Sequence, residues 1–161
     1  MKRIEIRPAD PGSPAIRAMI DAHLAHSQET TPPDSIHALP VEALRAPGIR
    51  FWALFENDVP LGCGALKDLG DGLAEVKSVH VTRAARRRGL ARQIMQFLQS
   101  QATRAGHTAL ALETGSDLLP DFDAARALYH SLGFTPCGPI PGYAADPYSV
   151  FLRLSLVTPA R

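Results

Sequence analysis

Hydrophobic and polar positions change their period several times along the chain. Ile4 and Ile6 alternate with charged neighbours, which predicts a half-buried first strand. Ser13-Pro14 offers an N-cap and a first-turn proline, and Ile16, Met19, Ile20 and Leu24 follow at helical spacing. Residues 27–40 are polar and hold Pro32, Pro33 and Pro40, so a loop with at most a short helix is expected there. A second short helix is expected over 41–45, stopped by Pro47-Gly48. Residues 51–55, a turn at Asn57-Asp58 and residues 61–66 read as a hairpin, and 73–81 as a third consecutive strand. From Gly89 the period becomes helical: Leu90, Ile94, Phe97 or Leu98, and Ala102 mark one face up to Gly106. Residues 108–113 predict a buried strand and 124–132 a helix that Gly133 ends, with Asp121 or Asp123 as its cap. Strict alternation from Tyr148 to Leu156 predicts the last strand. The order β-α-(α)-β-β-β-α-β-α-β implies an α/β fold, a central sheet with helices on its faces. No repeat or shift in composition divides it, so residues 1–161 are expected to form one domain.

Composition narrows the class. The 161 residues are 45% hydrophobic and 20% charged, which excludes a mainly disordered chain. Lys plus Arg is 17 and Asp plus Glu 16, so the net charge of +1 gives no support to a general polyanion binder. Two cysteines far apart, Cys63 and Cys137, form neither a disulfide framework nor a zinc pattern, and a reduced cytoplasmic setting is the default. The N-terminus is charged, and no apolar run approaches the length of a membrane helix. A soluble intracellular protein with no membrane partner is expected.

The most informative stretch is residues 79–92, where a strand ends, a basic turn follows, and a helix starts at Gly89. A helix N-terminus offers unpaired N–H groups and partial positive charge, and so can cradle phosphate. Gly89 and Ala91 let a ligand approach the backbone, and five arginines between positions 83 and 92 add charge suited to a diphosphate. A solvated basic turn or a nucleic-acid patch accounts for the charge equally well. The strand-turn-helix context favours phosphate, although neither a Walker loop nor a dinucleotide fingerprint is present.

Arg86-x-x-Gly89-x-Ala91 after a strand resembles the Arg/Gln-x-x-Gly-x-Gly/Ala signature of the GNAT (Gcn5-related) N-acetyltransferases. Residues 125–134, with Tyr129 before Gly133-Phe134, resemble the family's second motif, a helix that carries tyrosine and ends in Gly-Phe. The likeness runs over nearly the whole chain. It implies a mixed, mostly antiparallel sheet and acetyl-CoA held between the strands at 75–81 and 108–113. By the same resemblance Val79, His80 and Val81 belong to the strand beside the cofactor, where the backbone of Val79 and Val81 would bond the pantetheine arm. The backbone N–H groups of Arg87, Arg88, Gly89, Leu90, Ala91 and Arg92 would hold the pyrophosphate, and Arg86 belongs to the same cofactor-binding turn. Tyr129 would protonate the departing thiolate; a core aromatic at helical spacing is the alternative. Many relatives carry asparagine seven residues before the tyrosine, where this chain has Phe122. Relatives are commonly homodimers, which makes a second copy of the chain a candidate partner.

Acetyl transfer to a primary amine requires a base, because an alkylamine is mostly ammonium at pH 7. Glu75 is the first candidate, at a spacing from Arg86 that resembles the histone-acetyltransferase branch. Glu113, at the end of the next strand, is the other, and the sequence does not rank them. His23, His26 and Glu29 share one helical face, which a solvated polar surface explains more simply than a metal site. Neither cysteine has a local activating partner, so direct transfer in a ternary complex is expected, with no metal. Residues 27–40 and 139–147 are the expected acceptor loops, with Glu29, Asp34, His37, Tyr143 and Asp146 able to attract a cationic amine. The competing classes are an acyl-CoA-binding regulatory module without catalysis and a nucleic-acid binder using the arginine turn.

Overall fold

The computed structural model describes residues 3–36 and 39–156, so His37 lies outside the described residues. β1 (Ile4–Pro8), β2 (Ile49–Glu56), β3 (Val59–Gly70) and β4 (Leu73–Val81) pair antiparallel in succession. β5 (Ala109–Gly115) lies parallel to β4, and β7 (Ser149–Ser155) returns antiparallel beside β5. β6 (Thr135–Cys137) closes the edge, giving the sheet order β1-β2-β3-β4-β5-β7-β6. This is the mixed, mostly antiparallel sheet that the sequence implied.

β2 shows why helices must cover both faces. Phe51, Ala53 and Phe55 point to one side and Trp52 and Leu54 to the other, and all five are buried. On the first side they meet Ile16, Met19 and Ile20 of α1 (Pro14–Thr30) and Val41 and Leu44 of α2 (Val41–Leu44). On the second they meet Leu90, Ile94, Met95 and Leu98 of α3 (Leu90–Arg104), with Tyr129 of α4 (Asp123–Ser131) in the same cluster. Gly62 and Gly64 of β3 let α3 press close: a Cβ on Gly64 would fall 2.8 Å from Ile94 Cγ2.

Two sequence expectations need correction. α1 continues through Thr30 into the stretch expected to be a loop; within it the Ser27 and Thr30 hydroxyls find acceptors in the carbonyls of His23 and His26 one turn back, so these polar residues are accommodated in the helix. Residues 135–137, expected to lie in a loop, form edge strand β6; an edge position tolerates Pro136.

The site arises where β4 and β5 part. Their parallel pairing covers only residues 73–75 against 109–111. Beyond it, β4 bulges: the register runs from Ala65↔Lys77 to Cys63↔His80, with Ser78 at φ +56°. The bulge turns β4 away from β5 and leaves a wedge between them.

Candidate active site

One arm of the wedge is a channel of about 500 Å³. Every residue proposed from the sequence for the cofactor lines it except Arg88, whose guanidinium pairs with Glu56 on β2. The turn into α3 places Arg87 (φ +65°) and Gly89 (φ +74°) in left-handed conformations, and Gly89 is the N-cap. Left-handed residues alternating with an ordinary one in such a turn bring successive backbone N–H groups toward a common concavity. α3 has no acidic residue in its first turn, so the positive end of its dipole is left uncancelled. Arg92 Nη2 donates to Ser131 Oγ at 2.6 Å, tying the head of α3 to the end of α4.

The other arm is a narrower cavity of about 140 Å³, which meets the channel at Val79, Phe122 and Tyr129. Glu113 lines this cavity from β5, and Ser149 Oγ donates to its Oε2 at 2.7 Å. Burial pushes the Glu113 carboxyl up to about 7, against the pull of the Ser149 hydrogen bond and the charge of Lys77. Burial, then the charge of Glu113, pushes the Tyr129 phenol up to about 12, so it holds its proton at neutral pH. Phe122 packs over Gly115, where a Cβ would fall 2.5 Å from its ring, and gives the junction an apolar wall.

Glu75 is differently placed. Its side chain is 2% exposed; Lys77 Nζ lies 2.9 Å from its Oε2, and Tyr143 Oη donates to the same oxygen at 2.5 Å. Residues i and i+2 of a strand share a face, so the Glu75–Lys77 pair was readable in the sequence; the approach of Tyr143 from 68 residues away was not. The cluster ties the loop before β7 to β4.

His23, His26 and Glu29 separate. His23 stacks on His80 with ring centroids 4.3 Å apart, joining α1 to β4, and is no solvated surface group. Burial, with smaller contributions from the neighbouring histidines and Arg86, holds His23 down to about 4 and His80 down to about 3, so both rings are neutral at pH 7. His26 Nε2 lies 3.6 Å from Asp121 across the channel mouth, and Glu29 is exposed. Among the described residues no group of three or more His, Cys, Asp or Glu side chains is placed to hold a metal ion. Cys63 is buried and donates to the carbonyl of Ser78; its thiol is pushed up to about 12 by burial. Sequence reasoning passed over Thr31, Lys77, Ser149 and Tyr148, polar residues in no motif.

The model of the acetyltransferase (GNAT) family matches residues 16–134. The chain belongs to that family. It is 42% identical over 139 residues to the N-acetyltransferase YsnE of Bacillus subtilis, covering 86% of this chain and 91% of that one. It is 32% identical to an IAA acetyltransferase of Azospirillum brasilense, over 97% and 100% of the two chains. Among solved structures, an acyl-CoA N-acyltransferase from Klebsiella pneumoniae matches with TM-score 0.76 at 27% identity, over 96% of this chain and 98% of that one. An aminoglycoside 6'-N-acetyltransferase bound to coenzyme A matches with TM-score 0.73 at 16% identity, over 98% and 99%, and shares the fold. Acetyl-CoA is the acyl donor of this N-acetyltransferase; a non-catalytic binding module is not favoured.

Proposed function

We propose that residues 1–161 form one catalytic unit that acetylates a small primary amine by direct transfer, with Glu113 as base and Tyr129 as acid. One observation carries the assignment: Glu113, its carboxyl pushed up to about 7, and Tyr129, protonated, line the same narrow cavity, Tyr129 at its junction with the channel. Glu75 is the weaker base because Lys77 and Tyr143 already occupy its Oε2. In this reading Glu75 positions Lys77 and Tyr143.

The residues that line the channel fit acetyl-CoA. The arginine turn and the first N–H groups of α3 hold the diphosphate, and the bulged backbone around Val79 holds the pantetheine arm. The thioester supplies an activated acyl group. Glu113 takes one proton from the ammonium, and the freed nitrogen bonds to the acyl carbon. As the carbon–sulfur bond breaks, Tyr129 gives its proton to the sulfur. The second nitrogen proton, lost as the amide forms, restores Tyr129. A reduced cytoplasmic location accords with the free thiols of Cys63 and Cys137. No described helix is long and apolar enough to cross a membrane, and the reading requires no nucleic acid.

Thermal unfolding with acetyl-CoA, CoA and ATP, followed by thiol release with an amine panel, tests this. A ligand at a hundred times its dissociation constant adds about 2.7 kcal/mol, or roughly 5–10 °C for a domain of this size. Stabilisation by acetyl-CoA and CoA but not ATP, with amine-dependent thiol release, is expected. Stabilisation without thiol release from any amine would instead favour a binding module.

A further inference from the structure

Six residues line both the channel and the narrow cavity: His23, Ser27, Val79, Phe122, Ala125 and Tyr129. They frame the place where the thioester must sit, since its sulfur faces Tyr129 and its acyl carbon must be open to an amine beside Glu113. The frame has two sides. His23 and Ser27 of α1 are polar, and Val79 belongs to the bulge of β4, with no register partner on β3. Phe122 and Ala125, at the head of α4, are apolar. An acyl group is divided in the same way, into a carbonyl oxygen that keeps its hydrogen bonding and an alkyl end that has none to keep. The alkyl end therefore faces Phe122 and Ala125.

Phe122 is held in place. A Cβ on Gly115 would fall 2.5 Å from its Cδ2 and 2.6 Å from its Cγ, so the ring rests directly on the backbone of β5. The segment that carries this floor is itself clamped. One nitrogen of the Arg126 guanidinium donates to the carbonyls of Gly115 and Ser116, at 2.6 Å each, and the other pairs with Asp123. The Phe122 N–H donates to the carbonyl of Leu119 at 3.0 Å. A methylene added to the alkyl end has to displace a ring with nowhere to retreat, and packed sites resist such insertions. Turning the longer chain into the narrow cavity does not help. Its volume of about 140 Å³ is close to the roughly 150 Å³ that holds one benzene, and the amine needs that space.

We propose that Phe122 sets the acyl length: its ring, seated on Gly115, admits acetyl and excludes longer acyl groups. This rests on the acetyl-transfer reading above and deepens it. The test measures thiol release by the full chain from acetyl-CoA, propionyl-CoA and butyryl-CoA. The acceptor is whichever of n-butylamine, putrescine and lysine is fastest with acetyl-CoA, held the same throughout. The readout is the ratio of kcat/KM for acetyl-CoA to that for propionyl-CoA. One methylene in an apolar pocket is worth about 10- to 200-fold, so a ratio of tenfold or more is expected in the native protein. Phe122→Ala should bring the ratio within threefold of one and make butyryl-CoA a substrate, with Phe122→Leu between the two. Phe122→Leu keeps an apolar wall of smaller size, and decides the matter if Phe122→Ala fails to fold. A merely structural role would slow every donor alike and leave the ratio where it was. A native ratio near one, or a ratio unchanged in the folded variants, overturns the assignment while acetyl transfer stands. Thiol release from acetyl-CoA with none of the three amines overturns both.

Discussion

Glu113 and Tyr129 have opposite duties, and burial prepares both. A base with its carboxyl near 7 is active when deprotonated, so kcat/KM for an amine should rise with pH through about 7. Glu113→Gln should remove that limb and lower kcat/KM by 10²–10⁴, as loss of a general base does; a limb that persists in this variant would assign the base elsewhere. Tyr129→Phe should lower kcat by a similar factor and leave the acetyl-CoA dissociation constant within about twofold, as measured by calorimetry and single-turnover kinetics. Equal losses in both would assign Tyr129 to binding. Thr31→Val removes an unpartnered buried hydroxyl and should stabilise the apoprotein by about 1 kcal/mol, seen as a higher urea midpoint. At this scale the sequence was partly legible. Tyr129 stood in a motif and Glu113 at a strand end. Thr31 and Lys77 stood in none, because their importance lies in which neighbours they meet, or fail to meet, across the fold.

Periodicity revealed the elements better than their junctions. The alternation of β2 and the helical face of α3 were plain because each buries a continuous surface. The end of α1 and the three-residue β6 were missed for local reasons: polar hydroxyls that bond back along a helix, and a proline on an edge strand. The bulge at Ser78, which opens the wedge, left no compositional mark, since serine at φ +56° is held there by the register of β3. Glycines at two junctions give a discriminating comparison. A Cβ on Gly62 would fall 2.8 Å from the His80 carbonyl and 2.9 Å from Ile94 Cδ1, and the backbone oxygen cannot swing aside. Gly89 has open space and only its positive φ to defend. Gly62→Ala should therefore cost about 2–3 kcal/mol, by overpacking, and Gly89→Ala about 1 kcal/mol. Acetyl-CoA affinity should fall more in Gly89→Ala, because its strain sits in the phosphate turn. Urea unfolding and calorimetry on both variants check the crossed order.

Over the whole molecule, the groups that serve the wedge also set how stability depends on pH. Stability changes by about 1.36 kcal/mol per pH unit for each proton by which the unfolded and native states differ. His23 and His80 are held near 4 and 3, below their ordinary 6.5, so between pH 4.5 and 6.5 the unfolded chain binds two protons that the native protein does not. Glu113 is held near 7, above its ordinary 4.5, so in the same window the native protein binds one proton that the unfolded chain does not. These three groups together leave the unfolded state one proton ahead, and stability rises toward neutral pH by about 1.4 kcal/mol per unit. Glu113→Gln removes the opposing proton and should steepen that rise to about 2.7 kcal/mol per unit. His80→Phe keeps an aromatic ring on His23 and should bring their combined contribution near zero. Other carboxylates are common to all three proteins, so the differences between slopes carry the test. Equal urea-derived slopes between pH 4.5 and 6.5 would mean that the two rings and Glu113 titrate as exposed groups do. The native wedge would then admit water far more freely than its packing requires.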